Sequence, residues 1–188
     1  MILDNDPLTA VLAPVYQEQD GSKSFIYSEL PGYISAIADV YGSFFYGIYK
    51  KITHAKVNLE NSPFCVEWVY GSFIFIRNEV FIKAKGFDEN FFLYFEDIDL
   101  QHRIRKMNYE IKYHPGYNIQ HFERSSIRTY DGENHYYYHM TRSHLLYMYK
   151  HFSFFKRLCI KIIQLTEIIL RIISIPFRIE YSKKRVQK

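Results

Sequence analysis

Short apolar runs separated by polar breaks set the pattern of this chain. TAVLAPVY, residues 9–16, is a continuous apolar run stopped by QEQDG, the signature of a buried strand running into a turn. VEWVYGSFIFIR, residues 66–77, is dense in β-branched and aromatic residues and predicts a strand, interrupted by Gly71 where a backbone or ligand approaches closely. EVFIKAKGFDEN predicts a short helix closed by Gly86, and DIDLQHRIRK predicts the next one, opened by carboxylates. YEIKYHP and GYNIQHF predict two further strands, the second bringing His121 to its end. Residues 30–51 mix aromatic and small residues without a clean period and are assigned helix; 134–152 and 153–175 are helical as well.

The last of these helices carries Arg157, Lys161, Gln164, Arg171 and Ser174 near one stripe, with Leu158, Ile162, Leu165, Ile169 and Ile173 elsewhere. Its charges recur too often for a membrane span, which needs about 18 or more consecutive apolar residues. Two readings stay open: the helix packs on its own domain, or it lies in a membrane interface with its bases toward lipid phosphates. No internal repeat or low-complexity segment is evident.

Charge sharpens that choice. The formal net charge is +4, yet residues 150–188 hold ten Lys/Arg against Glu167 and Glu180, so this tail is +8 and the remainder −4. A localised excess of this size points to an anionic partner surface. Lipid fits better than nucleic acid, because the bases alternate with Ile and Leu rather than with the aromatic platforms of a single-strand binder. The N-terminal stretch MILDNDPLTAVLAP has no basic region followed by a long apolar one, so no export signal is expected. Cys65 and Cys159 stand far apart without metal-ligand spacing, which suggests a reducing compartment. At 188 residues and 48% hydrophobic content, one core is the default.

The chemistry concentrates in FFLYFEDIDLQHRIRK, residues 91–106. Glu96, Asp97 and Asp99 at a helix start complement its dipole, and Asp99 and Arg103 are spaced i, i+4 for an ion pair. For Glu96 and Asp97 a second reading competes. The aromatic cluster before them restricts solvation, which raises a carboxylate's pKa toward the range of a general base. Spacing alone leaves both readings open.

The run from Trp68 through Gly71, Ser72 and Arg77 to GFDENFFLYFEDIDLQHRIRKMNYEIKYHPGYNIQHFERSS resembles the C-terminal half of family 2 glycosyltransferases of the GT-A fold, in particular their rhamnosyltransferase-like branch. The matching core covers residues 66–126. The resemblance implies an α/β fold: a partial GT-A domain, Rossmann-like as in nucleotide-diphospho-sugar transferases, lacking most of its N-terminal nucleotide-binding half and followed by C-terminal amphipathic helices. Residues 1–130 would form its acceptor-side part and 131–188 a basic helical tail. Asp97, paired with Glu96, would be the general base that deprotonates an acceptor hydroxyl for inverting attack on the anomeric carbon. His121 would be a ligand of a divalent metal, Mg2+ or Mn2+, that neutralises the leaving diphosphate. Trp68, Gly71 and Ser72 would line the floor where the sugars meet, and Phe91, Phe92 and Tyr94 an aromatic wall.

Two departures from the family's pattern stand out. Lys85-Gly86 occupies a position where the family often has two glycines. Asp4-Asn5-Asp6 superficially offers the family's Asp-x-Asp metal motif but lies too near the strand at residue 9, and reads better as a helix end. The chain is therefore expected to be a fragment. By resemblance it would transfer a sugar, rhamnose being the one the branch suggests, from a nucleotide-sugar donor to a lipid-linked or growing surface glycan, as a peripheral protein on the inner face of the cytoplasmic membrane. The rival expectation is an inactive glycan- or membrane-binding remnant that works as a partner subunit.

Overall fold

The computed structural model describes residues 3, 6–17, 21, 23–24, 27–28, 30–32, 62–120, 132–166 and 169. It divides into two compact units, one of residues 1–30 and 58–151, the other of 31–57 and 152–188. Of the helix expected over 30–51, only 30–32 are described and they are not helical; the rest of it, His121 and the end of the last helix lie outside the described residues.

In the first unit, β1 (Thr9–Gln17) is the central strand, buried along all but its last residue. Burial on both faces is why its sequence is continuously apolar rather than alternating. It pairs in parallel with β7 (Glu110–Gln120) on one side. On the other it is flanked by two short antiparallel partners, β2 (Lys23–Ser24) and β6 (Phe75–Ile76). β4 (Phe64–Val66) closes the far edge of β7. The architecture is mixed α/β, as expected.

YEIKYHP and GYNIQHF, read as two strands, form one. β7 runs through both, but its register against β1 jumps between Pro14 and Val15, from His114 to Asn118. Pro14 has no N–H to give the ladder, and Pro115 follows His114 directly, so the pairing slips where both chains lose donors. The stretch 66–77 is likewise divided, into β4, β5 (Trp68–Val69), which pairs with β3 (Tyr27–Ser28), and β6, with a turn at 70–72.

The start of β1 is pinned from two directions. Arg77 donates to the carbonyls of Leu3, Asp6 and Thr9. The Asp6 carboxylate accepts from Thr9 Oγ1 at 2.7 Å and pairs with Lys112 on β7. The hydrogen bond from Lys112, then that from Thr9, holds its pKa down at about 2. Asp6 thus ties the start of β1 to β7; Asp4 and Asn5 of the LDNDP stretch lie outside the described residues.

α1 (Asn78–Lys83) ends as predicted at Gly86, whose N–H returns to Phe81 O at 3.0 Å. Two residues there take the left-handed conformation, Lys85 and Gly86, both at φ 64°. A glycine adopts it freely, whereas a Cβ clashes with the following carbonyl. Lys85 therefore carries strain where the family often has glycine.

α2 (Glu96–Lys106) places Leu100 and Ile104 in the core beside Val11, Val15, Val69, Val80 and Ile111. Asp99, on the same helix, is 0% exposed. Arg103 Nε reaches its Oδ2 at 2.8 Å, confirming the expected i, i+4 pair. Two further bases come from α3 (Gly132–His151): Lys150 Nζ lies 2.8 Å from Oδ1, and His151 Nε2 donates to Oδ1 at 2.6 Å. Burial alone would raise the Asp99 pKa, but hydrogen bonds from His151, Lys150 and Arg103 hold it at about 2. Lys150 also reaches Asp88 at 2.6 Å, and Arg103 bonds the carbonyls of Ala84 and Gly86.

In the second unit, residues 154–166 form a helix, α4. Ser153 begins it, accepting Arg157 N–H at its carbonyl and Lys156 N–H at its hydroxyl, the usual service of a serine N-cap. No helix among the described residues is long and apolar enough to cross a membrane.

Two outcomes test this description. Lys85→Gly should raise stability by about 0.5–1 kcal/mol, the left-handed strain relieved less the entropy glycine adds to the unfolded chain; urea denaturation reads it, and a less stable variant would refute the strain. Asp99→Asn should cost about 3 kcal/mol at neutral pH by stranding buried bases. Because the folded pKa lies below the unfolded value, this advantage of the wild type is present above about pH 3.8 and shrinks as pH falls toward 2; a difference independent of pH would exclude the ionised carboxylate as its source.

Candidate active site

α2 begins abruptly. Tyr94 and Phe95 just before it have φ of 65° and 67°, left-handed values that residues with side chains rarely adopt. Two adjacent outliers persist only where the surroundings overdetermine them, and here α3 supplies the constraint. Phe95 stacks on His144 with ring centroids 5.2 Å apart and packs against Tyr147, while Ser143 donates to Leu93 O at 2.7 Å. Phe91 is buried in the same loop. The FFLYF segment is thus a wedge that turns the chain sharply into Glu96 and Asp97.

Asp97 meets the turn after β5. Its Oδ2 accepts the Gly71 N–H at 2.7 Å, and its Oδ1 accepts the N–H of Ile98 at 2.8 Å. The approach requires glycine, since a Cβ on residue 71 would lie 2.7 Å from the Asp97 Cβ and 3.0 Å from Oδ2. The interruption of the strand at Gly71 has its cause here: the backbone of the turn comes against a carboxylate. Burial pushes the Asp97 pKa up, and the N–H groups of Gly71 and Ile98 only partly oppose it. Glu96 is raised too, first by burial and further by the neighbouring Asp97 charge. Its Oε2 is buried and has no hydrogen-bond partner among the described residues.

Gln101 holds the two sides of this contact in register. Fully buried on α2, it accepts the Val69 N–H at Oε1 (2.8 Å) and donates from Nε2 to Val69 O (2.7 Å) and to Asp97 O (3.1 Å). One amide therefore satisfies both backbone groups of a strand residue and ties them to the helix turn that carries Asp97. Sequence reasoning passed over Gln101. Its signal was a polar residue on the same helix face as Ile98 and Ile104, where the pattern asks for an apolar one.

The other predicted residues divide. Ser72 lies in the Gly71 turn beside the buried Tyr16 hydroxyl, whose pKa is raised by burial against hydrogen bonds from Ser72 and the Phe73 backbone, with Asp97 adding to the rise. Trp68 is buried on β5, its ring 4.8 Å from that of Tyr70. Gly71, Ser72, Glu96 and Asp97 are thus drawn together, with Trp68 leading into the turn. Phe92 goes elsewhere: it is 71% exposed and its ring contacts His139 on α3. Tyr94 is half-buried in the strained wedge. His121 lies outside the described residues, and among those described no three His, Cys, Asp or Glu side chains converge as a metal site.

No family model matches the chain. Among curated proteins, the N-acetylglucosaminyl-diphospho-decaprenol L-rhamnosyltransferases of Mycobacterium tuberculosis strains CDC 1551 / Oshkosh and ATCC 25618 / H37Rv are each 30% identical over 121 residues. That stretch is 64% of this chain and 39% of theirs. Rhamnosyltransferase WbbL of Escherichia coli (strain K12) is 32% identical over 96 residues, 50% of this chain and 35% of that protein. The chain resembles rhamnosyltransferases. It spans less than two fifths of the length of these relatives. The resemblance read from the Trp68 to His121 pattern thus meets curated rhamnosyltransferases, and the contact that unites this rhamnosyltransferase-like stretch is the one between Gly71 and Asp97.

Gly71→Ala should force that contact apart and lower stability by about 1–3 kcal/mol, as overpacking of a close site does. Urea denaturation midpoints for wild type and variant check this, and coincident midpoints would mean the turn yields without cost.

Proposed function

We propose that the chain is the acceptor-side part of an inverting glycosyltransferase of the GT-A type, with Asp97 as its general base. The observation that carries this reading is a partly buried carboxylate of raised pKa, held against the Gly71 backbone at the start of α2. Each Asp97 oxygen accepts one backbone N–H and keeps a further lone pair for a substrate hydroxyl. A base whose pKa is lifted toward the working pH is better matched to a hydroxyl proton than an ordinary aspartate. Asp97 would take the proton of the acceptor hydroxyl as its oxygen attacks the anomeric carbon, and the nucleotide diphosphate would leave from the opposite face with inversion. Glu96, beside it, is raised first by burial and then by the Asp97 charge, so an ionised Asp97 disfavours ionisation of its neighbour. Trp68 and Ser72 would border the acceptor sugar, with Tyr94 as the aromatic wall; Phe92, whose ring turns to His139, is left out of it.

The relatives' names support a nucleotide-activated rhamnose as donor and an N-acetylglucosaminyl-diphospho-polyprenol as acceptor. A membrane-borne acceptor suits peripheral contact with the inner face of the cytoplasmic membrane through the basic C-terminal helix. Residues 1–130 carry the reaction side in this reading, and the helical segment from 131 begins with α3, whose Lys150 and His151 reach Asp99. A divalent cation, Mg2+ or Mn2+, held by His121 belongs to the reading through the resemblance alone, and no step is drawn through it.

The test is transfer of radiolabelled rhamnose to the polyprenol-linked acceptor. Asp97→Asn should cut kcat by at least about a hundredfold, and the wild-type rate should fall with acidification through a pKa above the ordinary 3.8, because only the ionised base accepts a proton. Acceptor binding without transfer, unchanged in Asp97→Asn, would favour the inactive glycan-binding reading.

A further inference from the structure

On the last helix most of the large apolar side chains face solvent. Phe154, Phe155, Leu158, Ile162, Leu165 and Ile169 are all solvent-exposed, from 44% at Leu158 to 76% at Phe155, whereas Ile160 is 2% exposed. At 100° per residue the five of these that lie on α4, Phe154, Phe155, Leu158, Ile162 and Leu165, fall within an arc of about 100° on one side of the helix. The helix therefore buries its other side and turns its broad apolar side to water. Five large side chains in one arc form a contiguous patch of the kind that marks an interaction surface.

Charge identifies the occupant. Lys150 is taken up by Asp88 and Asp99 in the first unit, so it does not belong to the tail's reserve. Residues 151–188 still carry nine Lys/Arg against Glu167 and Glu180, a net of +7, leaving −3 for the rest of the chain. Lys161 is exposed at one border of the apolar arc, and Lys156 lies back over the Phe152 ring at 3.9 Å. An apolar arc with Lys161 at its border, in a tail of net positive charge, is complementary to an anionic lipid interface, whose acyl boundary takes the apolar side chains and whose phosphates take the charges. Two such tails brought face to face would repel.

We propose that this arc of α4 is a membrane-docking face, with Phe154, Phe155, Leu158, Ile162 and Leu165 entering the acyl boundary of an anionic leaflet and Lys161 at the phosphate level. This deepens the membrane contact of the reading above and stands on the helix face alone, so its test involves no sugar transfer and the two can fail separately.

The full chain is floated with vesicles of equal phosphatidylcholine and phosphatidylglycerol, and with phosphatidylcholine vesicles alone. The wild type should partition onto the anionic vesicles and bind the neutral ones about tenfold or more weakly. The double variant Ile162→Gln/Leu165→Gln removes only exposed apolar groups and should lose about tenfold in partition with unchanged circular dichroism. Lys161→Glu should weaken anionic binding severalfold and leave the neutral background as it was. Absence of partition, or equal partition by the double variant, overturns the proposal. Concentration-dependent dimers in sedimentation velocity that the double variant abolishes, with no vesicle binding, overturn it in favour of self-association. Retention on DNA with no vesicle binding overturns it in favour of nucleic acid.

Discussion

A carboxylate taken out of water must be paired, and burying Asp99 sets much of the first unit's geometry. Its 0% exposure is met by Arg103 from its own helix and by Lys150 and His151 from α3. Those partners are not spare: Arg103 also bonds the carbonyls at the end of α1, and Lys150 also holds Asp88. One buried charge therefore joins the end of α1, the loop after it, α2 and α3. With α3 fixed, Ser143, His144 and Tyr147 are in position to hold the strained Leu93 to Phe95 segment. Such a network is costly to break, since Asp99 itself has no access to water and His151 almost none, so losing a partner leaves a buried group unpaired.

Asp97 and Asp99 are two residues apart and have opposite electrostatic fates. Asp99 is surrounded by cations and its pKa is driven down, whereas Asp97 accepts only uncharged backbone N–H groups and burial drives its pKa up. Two residues of helix turn side chains about 200° apart, so the same short motif presents one carboxylate to the scaffold and the other to the Gly71 turn. The division of labour between them is a consequence of helical geometry applied to neighbouring acids.

Much of this was legible beforehand. Continuous apolarity identified β1, Gly86 marked the end of α1, and the i, i+4 spacing gave the Asp99 to Arg103 pair. The close approach at Gly71 was signalled by the interrupted strand pattern, and it is the Asp97 carboxylate that comes against it. What stayed hidden depended on partners distant in sequence. Nothing local indicates that Lys150 and His151 converge on Asp99, or that Gln101 faces the Val69 backbone. The single β7 was read as two strands because His114-Pro115-Gly116 has the composition of a turn, while in the fold it is a slip opposite Pro14. On α4 the apolar periodicity was visible, but which side faces water depends on burial that a helical pattern does not contain.

The Gln101 bracket separates what is held from what can vary. A side-chain amide that grips the N–H and the carbonyl of residue 69 is indifferent to the side chain there. The helix bearing Asp97 is thereby registered to the path of the main chain and not to the shapes of neighbouring residues. Substitutions at Trp68, Tyr70 or Ser72 can then reshape the adjoining surface without moving the carboxylate, so the scaffold lets the neighbourhood of Asp97 vary around a stationary anchor.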